Sequence, residues 1–394
     1  MIGSGWEQLS LAETILKHGH YLITTHPNIN ADSFKIANQF YVKDSRDIEG
    51  HINIAKTHNI DAIVSDNCDF SFYTASVVAA KFNLPFATIK SALFSNDKFA
   101  QRDAVSKSKV KQPGYCKVRT IEELLKAIEI VKFPAILKPV DSRGTFGVII
   151  IRNKAALKNA FYDAIANSYS RTLILEQYIS GTLVTVDGFC FSNGHQSLAV
   201  ASRKIEDGLK PITKEIIYPA LFKTSVNELL MKAHHEVVRS LNYSTGHTHG
   251  EYILTPDNEV YLVECANRGG GVYTSSVILP LLTEYPTNEI LINQALGCDH
   301  FVAENRGTQS MKKSVMLTFI DYKVGKVIDE ININAVRKLP YVVRFRSKYG
   351  INDMIESIEN CAGRHSMLVL VANDKAELIQ RLLEFKENLQ ITYH

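Results

Sequence analysis

Apolar and polar positions follow two alternating rhythms along the first hundred residues. Short β-rich runs, HYLITT (20–25), DAIVSD (61–66) and PFATI (85–89), are separated by stretches with helical spacing, HINIAKTHNI (51–60) and TASVVAAKF (74–82). That order predicts an α/β domain built on a parallel sheet over residues 1–96. The opening GSGWEQ (3–8), followed by LAETILKHG, reads as the first strand-to-helix turn of a Rossmann-like unit, or as a tight turn that holds no ligand. Only Met1 and Ile2 precede it, which predicts an unusually short first strand or a truncated start.

The rhythm changes after SNDKFAQRDAVSKSKVKQPGY (95–115). There Asn96 or Asp97 caps a helix that carries Lys98 and Arg102 one turn apart on one face. Residues 113–178 predict a small strand–helix–strand–strand–helix–strand unit. Its parts are the helix TIEELLKAIEIV (120–131), the strand FPAILKPV (133–140) ending in Lys138, the polar loop DSRGTFG (141–147), the strand VIIIR (148–152) and the strand TLILEQYI (172–179). The loop offers backbone N–H groups to anionic oxygens. It lacks the GK[ST] that opens a Walker helix. SGTLVTVDGFCFSNG (180–194) predicts two strand segments. ASRKI (201–205) sets Arg203 and Lys204 after another strand, and SVNELLMKAHHEVVRSL (225–241) and TNEILINQALG (287–297) predict helices. From about 301 onward the pattern is mixed α/β, with strands at 314–322, 326–329, 341–345 and 366–373 and a helix at 375–385. No catalytic constellation is legible there, so packing and closure of a site are its expected role.

The most informative stretch is GHTHGEYILTPDNEVYLVECANRGGG (246–271), two β-rich runs joined by Pro, Asp and Asn, a hairpin signal. If Asp257 and Asn258 form a two-residue loop, Glu251 lies directly opposite Glu264. Facing like charges destabilise a ladder. The repulsion at about 4 Å is ~1 kcal/mol in water and ~4 kcal/mol at an effective dielectric near 20. A cation between the carboxylates relieves it, and all-oxygen ligands favour Mg²⁺ with nucleotide phosphates. The bland alternative is a solvated hairpin whose glutamates splay apart. Zinc is another, because His247, His249 and Glu251 share one strand face. Arg268 and three glycines follow at once.

With 394 residues the chain accommodates two or three domains, and 45% hydrophobic and 22% charged residues are ordinary for a globular protein. A net charge of +3 is too small to imply a nucleic-acid or membrane partner, and none is expected. Six scattered cysteines without a CxxC pair exclude a zinc ribbon or disulfide framework and fit a reducing, cytoplasmic setting. Neither a membrane-length apolar run nor a signal peptide is present.

Together these segments resemble the ATP-grasp superfamily, in particular its carboxylate–amine ligases, relatives of biotin carboxylase, carbamoyl phosphate synthetase and bacterial L-amino acid ligases. FPAILKPVDSRGTFGV, LILEQYISG…VDG and GEYILTPDNEVYLVECANRGGG carry the resemblance, in that order. It implies an α/β (α+β) ATP-grasp fold: a Rossmann-like pre-ATP-grasp domain (1–96), an ATP-grasp domain (97–300) with a lid at about 113–178, and a mixed α/β C-terminal subdomain (301–394). It also implies that Lys98 and Lys138 contact the ATP phosphates. Ser142, Arg143, Gly144, Thr145 and Gly147 would close over them. Glu176 would take the adenine amino group, with Gln177, Tyr178 and Ile179 at the ring edge. Glu251, Glu264 and Asn267 would hold Mg²⁺, with Mn²⁺ as the substitute. Arg268 would bind the substrate carboxylate, and Lys204 would assist at the phosphates. The implied partners are a small carboxylate and an amine, with a homodimer by analogy.

The implied reaction is ATP-dependent amide formation through an acyl phosphate, releasing ADP and phosphate. Glu264→Gln and Arg268→Ala should then abolish turnover with the fold intact. Leu183 stands where relatives usually carry a glutamate for the ribose hydroxyls. Ala266 stands at the usual asparagine of E-x-N-x-R, with Asn267 next to it. Ribose recognition and one metal contact are the functions these departures touch. Three other readings remain: a carboxylase or purine-synthesis ligase using bicarbonate or formate, a nucleotide-binding protein that has lost catalysis, and, last, a Rossmann-type oxidoreductase on GSGWEQ.

Overall fold

A computed structural model describes residues 1–206, 208, 210–298, 301–303 and 311–394. In the first segment, β1 (Ile23–His26) and β2 (Gln39–Val42) pair in parallel. Ile2 bridges Thr25, and its N–H reaches Val64 O at 3.0 Å, so the first strand is a single bridge long. PFATI is not a strand: residues 85–88 are irregular and Thr88 caps the helix Ile89–Asn96. DAIVSD likewise runs without strand assignment. The apolar positions Leu84 and Phe86 pack instead against Ala75, Val78 and Ala79. Burial accounts for the apolar pattern without a strand at these positions.

The next unit is a four-stranded antiparallel sheet of β3 (Tyr115–Val118), β4 (Ala135–Pro139), β5 (Ile149–Ile151) and β6 (Leu173–Gln177), in the order β3-β6-β4-β5. Helices Ile121–Val131 and Leu157–Ala166 cover one face, as the strand–helix order predicts. Strand alternation sends Ala135, Leu137, Leu173 and Leu175 into the core beneath those helices. Ile136, Lys138 and Glu176 are thereby turned to the other face, where they line a cavity.

The remaining strands are β7 (Thr182–Phe191), β8 (Gly194–Ile205), β9 (Thr213–Tyr218), β10 (Gly246–Leu254), β11 (Val260–Ala266), β12 (Ser314–Thr318), β13 (Ile328–Ile331), β14 (Val342–Ser347), β15 (Ser366–Ala372) and β16 (Ile391–Tyr393). Residues 182–191 are one ten-residue strand rather than two segments. Eight of these strands form one antiparallel sheet in the order β11-β10-β7-β8-β9-β12-β15-β14, while β13 pairs β16. The large sheet crosses position 300, with β12, β14 and β15 completing it. Helix Thr224–Ser240 packs on one face through Leu230, Val237 and Val238, against Tyr252, Leu254 and Leu262. Each such fully buried apolar side chain stabilises by ~1.5–3 kcal/mol. Helix Leu9–Lys17 and helices Leu279–Thr283 and Thr287–Ala295 bury their apolar faces with Phe189, Phe191 and Ala199 in a separate core. No helix among the described residues is long and apolar enough to cross a membrane.

Candidate active site

A cavity of about 990 Å³ lies between the small sheet and the large one, closed by Trp6, Glu7 and Asp69 of the first segment. Ten Lys and Arg side chains and six carboxylates line it among the described residues. That excess of positive charge suits a polyanionic ligand. An apolar stretch of Ile136, Ile150, Ile179, Leu183 and Ile253 lines the same cavity.

Glu251 pairs with Glu264 across the β10–β11 hairpin, as expected, but not through the expected loop. Tyr252 pairs with Leu262, Ile253 with Tyr261 and Leu254 with Val260. Thr255 N–H donates to Glu259 O, and Asn258 takes a left-handed conformation at φ 60°. The connection is therefore the three residues Pro256, Asp257 and Asn258. That register alone would place Glu251 opposite Val263. A β-bulge between Glu251 and Tyr252 skips Val263 and brings the two carboxylates together. Arg102 stabilises the bulge, its Nη2 donating to the freed Val263 carbonyl at 2.8 Å.

Arg102 comes from helix Lys98–Val105, which Asp97 caps by accepting from Phe99 and Ala100 N–H. That helix covers the edge strand β11. Gln101 exchanges two hydrogen bonds with the Cys265 backbone, at 2.6 and 2.8 Å. One turn apart, Lys98 and Arg102 both reach the cavity. Arg102 Nε donates to Glu176 Oε1 at 3.0 Å, and Lys138 Nζ meets Glu176 Oε2 at 2.8 Å. Burial would push the Glu176 carboxyl up, but Arg102 and Lys138 hold it down at about 2. Glu176 is thus an ionised carboxylate clamped between two buried cations. The sequence places Arg102 one turn from Lys98 but carries no sign that it reaches Glu176.

Glu251 is held by Arg203 Nη1 at 2.5 Å, with His249 Nε2 at 3.6 Å. Glu264 faces Lys98 Nζ at 3.2 Å. Arg203, not Lys204, is the basic residue of this strand at the cavity. Lys204 is exposed on the opposite side of β8, as strand alternation requires, so a role at the phosphates does not follow from its position. His247 is fully buried and edge-on to Phe189 at 4.8 Å, so it does not share the cavity with His249 and Glu251. With His247 turned away, the shared His247, His249 and Glu251 face that the zinc reading of 247–251 needs is not formed.

His249 Nδ1 meets Asp187 Oδ1 at 2.6 Å. Burial lowers the affinity of His249 for its proton, but Asp187 and Glu251 outweigh burial and raise it to about 8 from 6.5. The folded protein therefore binds this proton more tightly than the unfolded chain. The gain, about 2 kcal/mol, is fully present below pH 6.5 and is lost as pH rises through 8. Urea unfolding at pH 6 and 9 should show that loss in the wild type and a smaller pH effect in His249→Gln. An equal pH effect in both would contradict it.

Arg268 lines the cavity but is already engaged, with Nε and Nη2 gripping Asp69 at 2.8 and 3.0 Å. Both side chains are nearly buried, at 13% and 12% exposure. Arg268→Ala therefore cannot leave the fold untouched. It strands the Asp69 carboxylate and should lower unfolding stability by about 3 kcal/mol. A midpoint unchanged in urea would refute this. Asn267 is fully buried and points away from the cavity, Nδ2 donating to Thr245 O at 2.7 Å and His247 O at 3.1 Å. It pins β10 and is not beside the paired glutamates, so the expected metal contact is not formed. Ala266 pairs with His249 and supplies no ligand in its place.

In the polar loop, Ser142, Arg143, Gly144 and Thr145 line the cavity. Ser142 O accepts from Lys98 Nζ at 2.8 Å, Arg143 Nη1 lies 3.0 Å from Cys68 Sγ, and Gly144 O accepts from Cys361 N–H at 3.1 Å. The loop touches both flanking segments. Gly147 sits behind it at φ 69°, where a Cβ would stand 2.9 Å from Asn167 Cβ. Packing and backbone conformation, rather than ligand contact, require that glycine. Gln177, Tyr178 and Ile179 line the cavity, and Leu183 presents an apolar side chain to it.

Several lining residues escaped sequence reading. Arg346 comes from the edge strand β14, Lys348 from the bend just after it, Arg364 from the segment leading into β15, and Glu7 from the opening turn. Arg364 lies 3.6 Å over the Phe319 ring, and its Nε donates to Cys361 O at 2.6 Å. Burial and Arg203 lower its proton affinity to about 10. Glu7 accepts from the Val272 N–H, and burial raises its carboxyl. Isolated basic residues in a strand or its flanking loops carry no local signal; only the tertiary fold gathers them.

Comparison with known proteins matches this architecture. Residues 131–276 match the family model for the ATP-grasp domain. Alanine–anticapsin ligase of Bacillus subtilis (strain 168) is 22% identical over 292 residues, covering 67% of this chain and 60% of that protein. Formate-dependent phosphoribosylglycinamide formyltransferase of Bacteroides thetaiotaomicron is 25% identical over 289 residues, 68% of this chain and 69% of that one. The solved L-amino acid ligase of Bacillus licheniformis shares the fold at a TM-score of 0.85 and 16% identity, covering 100% of this chain and 98% of that chain. Residues 131–276 thus carry an ATP-grasp domain, and the α/β fold of the chain is shared with the solved L-amino acid ligase. It spans only 60% of the length of the alanine–anticapsin ligase it matches.

Proposed function

We propose that the cavity binds ATP and a small carboxylate, transfers the γ-phosphoryl group to that carboxylate, and passes the acyl phosphate to an amine. The products are an amide, ADP and phosphate. The bulge-enforced pairing of Glu251 and Glu264 on the wall of a basic cavity carries this reading. Both are hard oxygen donors. Arg203 and His249 keep Glu251 ionised against burial, the form a metal ligand needs. These two carboxylates would hold Mg²⁺, which on binding neutralises charge on the transferring phosphoryl group.

In this reading Lys98 and Lys138 contact the phosphates, and the loop Ser142–Thr145 closes over them. Lys98 would exchange Glu264 and Ser142 O for phosphate oxygens. Ile136, Ile179, Leu183 and Ile253 form the slot for the adenine ring, with the backbone of Gln177–Ile179 at its edge. The Glu176 side chain positions Lys138 and Arg102, which leaves the adenine amino group to backbone acceptors. With Leu183 in the wall, the ribose hydroxyls gain no carboxylate there. Arg268, released in part from Asp69 or using its remaining N–H groups, binds the substrate carboxylate. Enclosure between the two sheets shields the acyl phosphate from water. The segments 1–96, 97–300 and 301–394 would act as first-substrate, nucleotide and closing regions.

The likeness to a formate-dependent formyltransferase supports a second reading, with formate or bicarbonate as the acid and the same nucleotide chemistry. Trapping with hydroxylamine tests the shared step. The chain incubated with ATP, Mg²⁺, a panel of carboxylates and hydroxylamine should yield a hydroxamate from a particular acid. Hydroxamate from none of them, with ATP bound, would overturn acyl phosphate formation and favour a binding protein without catalysis.

A further inference from the structure

The sheet face opposite the cavity carries a line of polar side chains that the proposed reaction does not use. Tyr252 OH lies 2.8 Å from His234 Nδ1, and His234 Nε2 lies 2.9 Å from Thr248 Oγ1. Thr248 Oγ1 is 3.0 Å from His195 Nε2, and His195 Nδ1 is 3.4 Å from His235 Nδ1. The line runs from a fully buried Tyr252 to an exposed His235. Buried polar chains cost stability unless every member is satisfied, and this one has the backbone shaped around it. A Cβ at Gly188 would stand 2.5 Å from His195 Nε2 and 2.8 Å from Thr248 Oγ1. A Cβ at Gly250 would stand 2.5 Å from His234 Nδ1 and 2.8 Å from Tyr252 OH. Two glycines on neighbouring strands β7 and β10 therefore make the room.

We propose that His195 and His235 form a binding site for a divalent transition metal of the zinc class, using their facing Nδ1 atoms. In a tetrahedral site with metal–nitrogen distances of about 2.0–2.1 Å, two nitrogens stand about 3.3–3.4 Å apart. The observed separation already matches. His195 Nε2 is engaged by Thr248, the kind of second contact that fixes a ligating imidazole's orientation and tautomer. Because no group of three His, Cys, Asp or Glu assembles among the described residues, water fills the other positions and the site exchanges with solvent. The metal would staple β8 to helix Thr224–Ser240, and it is independent of the nucleotide chemistry proposed above.

The probe is Zn²⁺ alone, titrated calorimetrically into the full chain while the thermal midpoint is followed. The wild type should bind one Zn²⁺ at this site and gain thermal stability. His235→Ala, at an exposed position that leaves folding intact, should lose both. Thr248→Val should bind about 10- to 100-fold more weakly. Binding and midpoint gain that persist in His235→Ala would overturn the site. So would an event that vanishes only in Glu264→Gln, which places the metal in the cavity, and so would an absence of binding in the wild type.

Discussion

Glu264→Gln should lower the rate of ADP release by about 10²- to 10³-fold while leaving the unfolding midpoint nearly unchanged. A metal that neutralises a transferring phosphoryl group contributes several kcal/mol to the transition state. Losing one of its two carboxylate ligands removes a large part of that, and ~3 kcal/mol corresponds to about a hundredfold in rate. The fold is spared because the Glu264 side chain is 31% exposed, with Lys98 Nζ at 3.2 Å as its ion-pair partner. A pair that keeps solvent contact on both sides, here at 31% and 16% exposure, is worth ~1 kcal/mol or less. Measured kcat beside a urea midpoint separates the two effects. Wild-type turnover in Glu264→Gln would remove the paired-carboxylate assignment.

Glu176→Leu should produce the opposite balance, a loss of about 3–5 kcal/mol in unfolding stability before any effect on catalysis is considered. Glu176 is 4% exposed, Arg102 1% and Lys138 6%. Removing the carboxylate leaves two buried cations with no counter-charge, which is the costly way to break a buried ion pair. Arg102 loses the Glu176 contact that orients its guanidinium toward the Val263 carbonyl, so the bulge that aligns Glu251 with Glu264 is less firmly held. Pairing the change with Lys138→Met should recover part of the loss, because one stranded charge is then gone. A single-variant loss below about 1 kcal/mol would show that solvent reaches this cluster.

The same residues mark what could be read from the sequence and what could not. The small sheet and its two helices were legible because period-two and period-3.6 patterns there are undisturbed, as in Ala135, Leu137 and the alternating Ile136 and Lys138. The opposition of Glu251 and Glu264 was legible, but its mechanism was not. A two-residue loop and a three-residue loop plus a bulge give the same pairing, and a bulge leaves no mark in side-chain chemistry. Arg203 and Lys204 are equivalent in sequence; only the pairing of β8 with its neighbours decides which one enters the cavity. Asn267 looked like a ligand by proximity to Glu264, yet the chain turns after Ala266 and directs it to backbone carbonyls. PFATI shows the limit of apolar patterning, since burial against a helix and burial in a ladder look alike over five residues. Arg346, Lys348 and Arg364 lie far along the chain from the rest of the site, and no local pattern could join them to it.

ADP release measured with ATP and Mg²⁺ against amino acids, other small carboxylates and bicarbonate, each with and without added amines, tests the central claim most directly. The account predicts ADP only when one particular acid and one amine are present together, with amide formed in equal amount. Tight ATP binding without ADP from any acid and amine pair would contradict it.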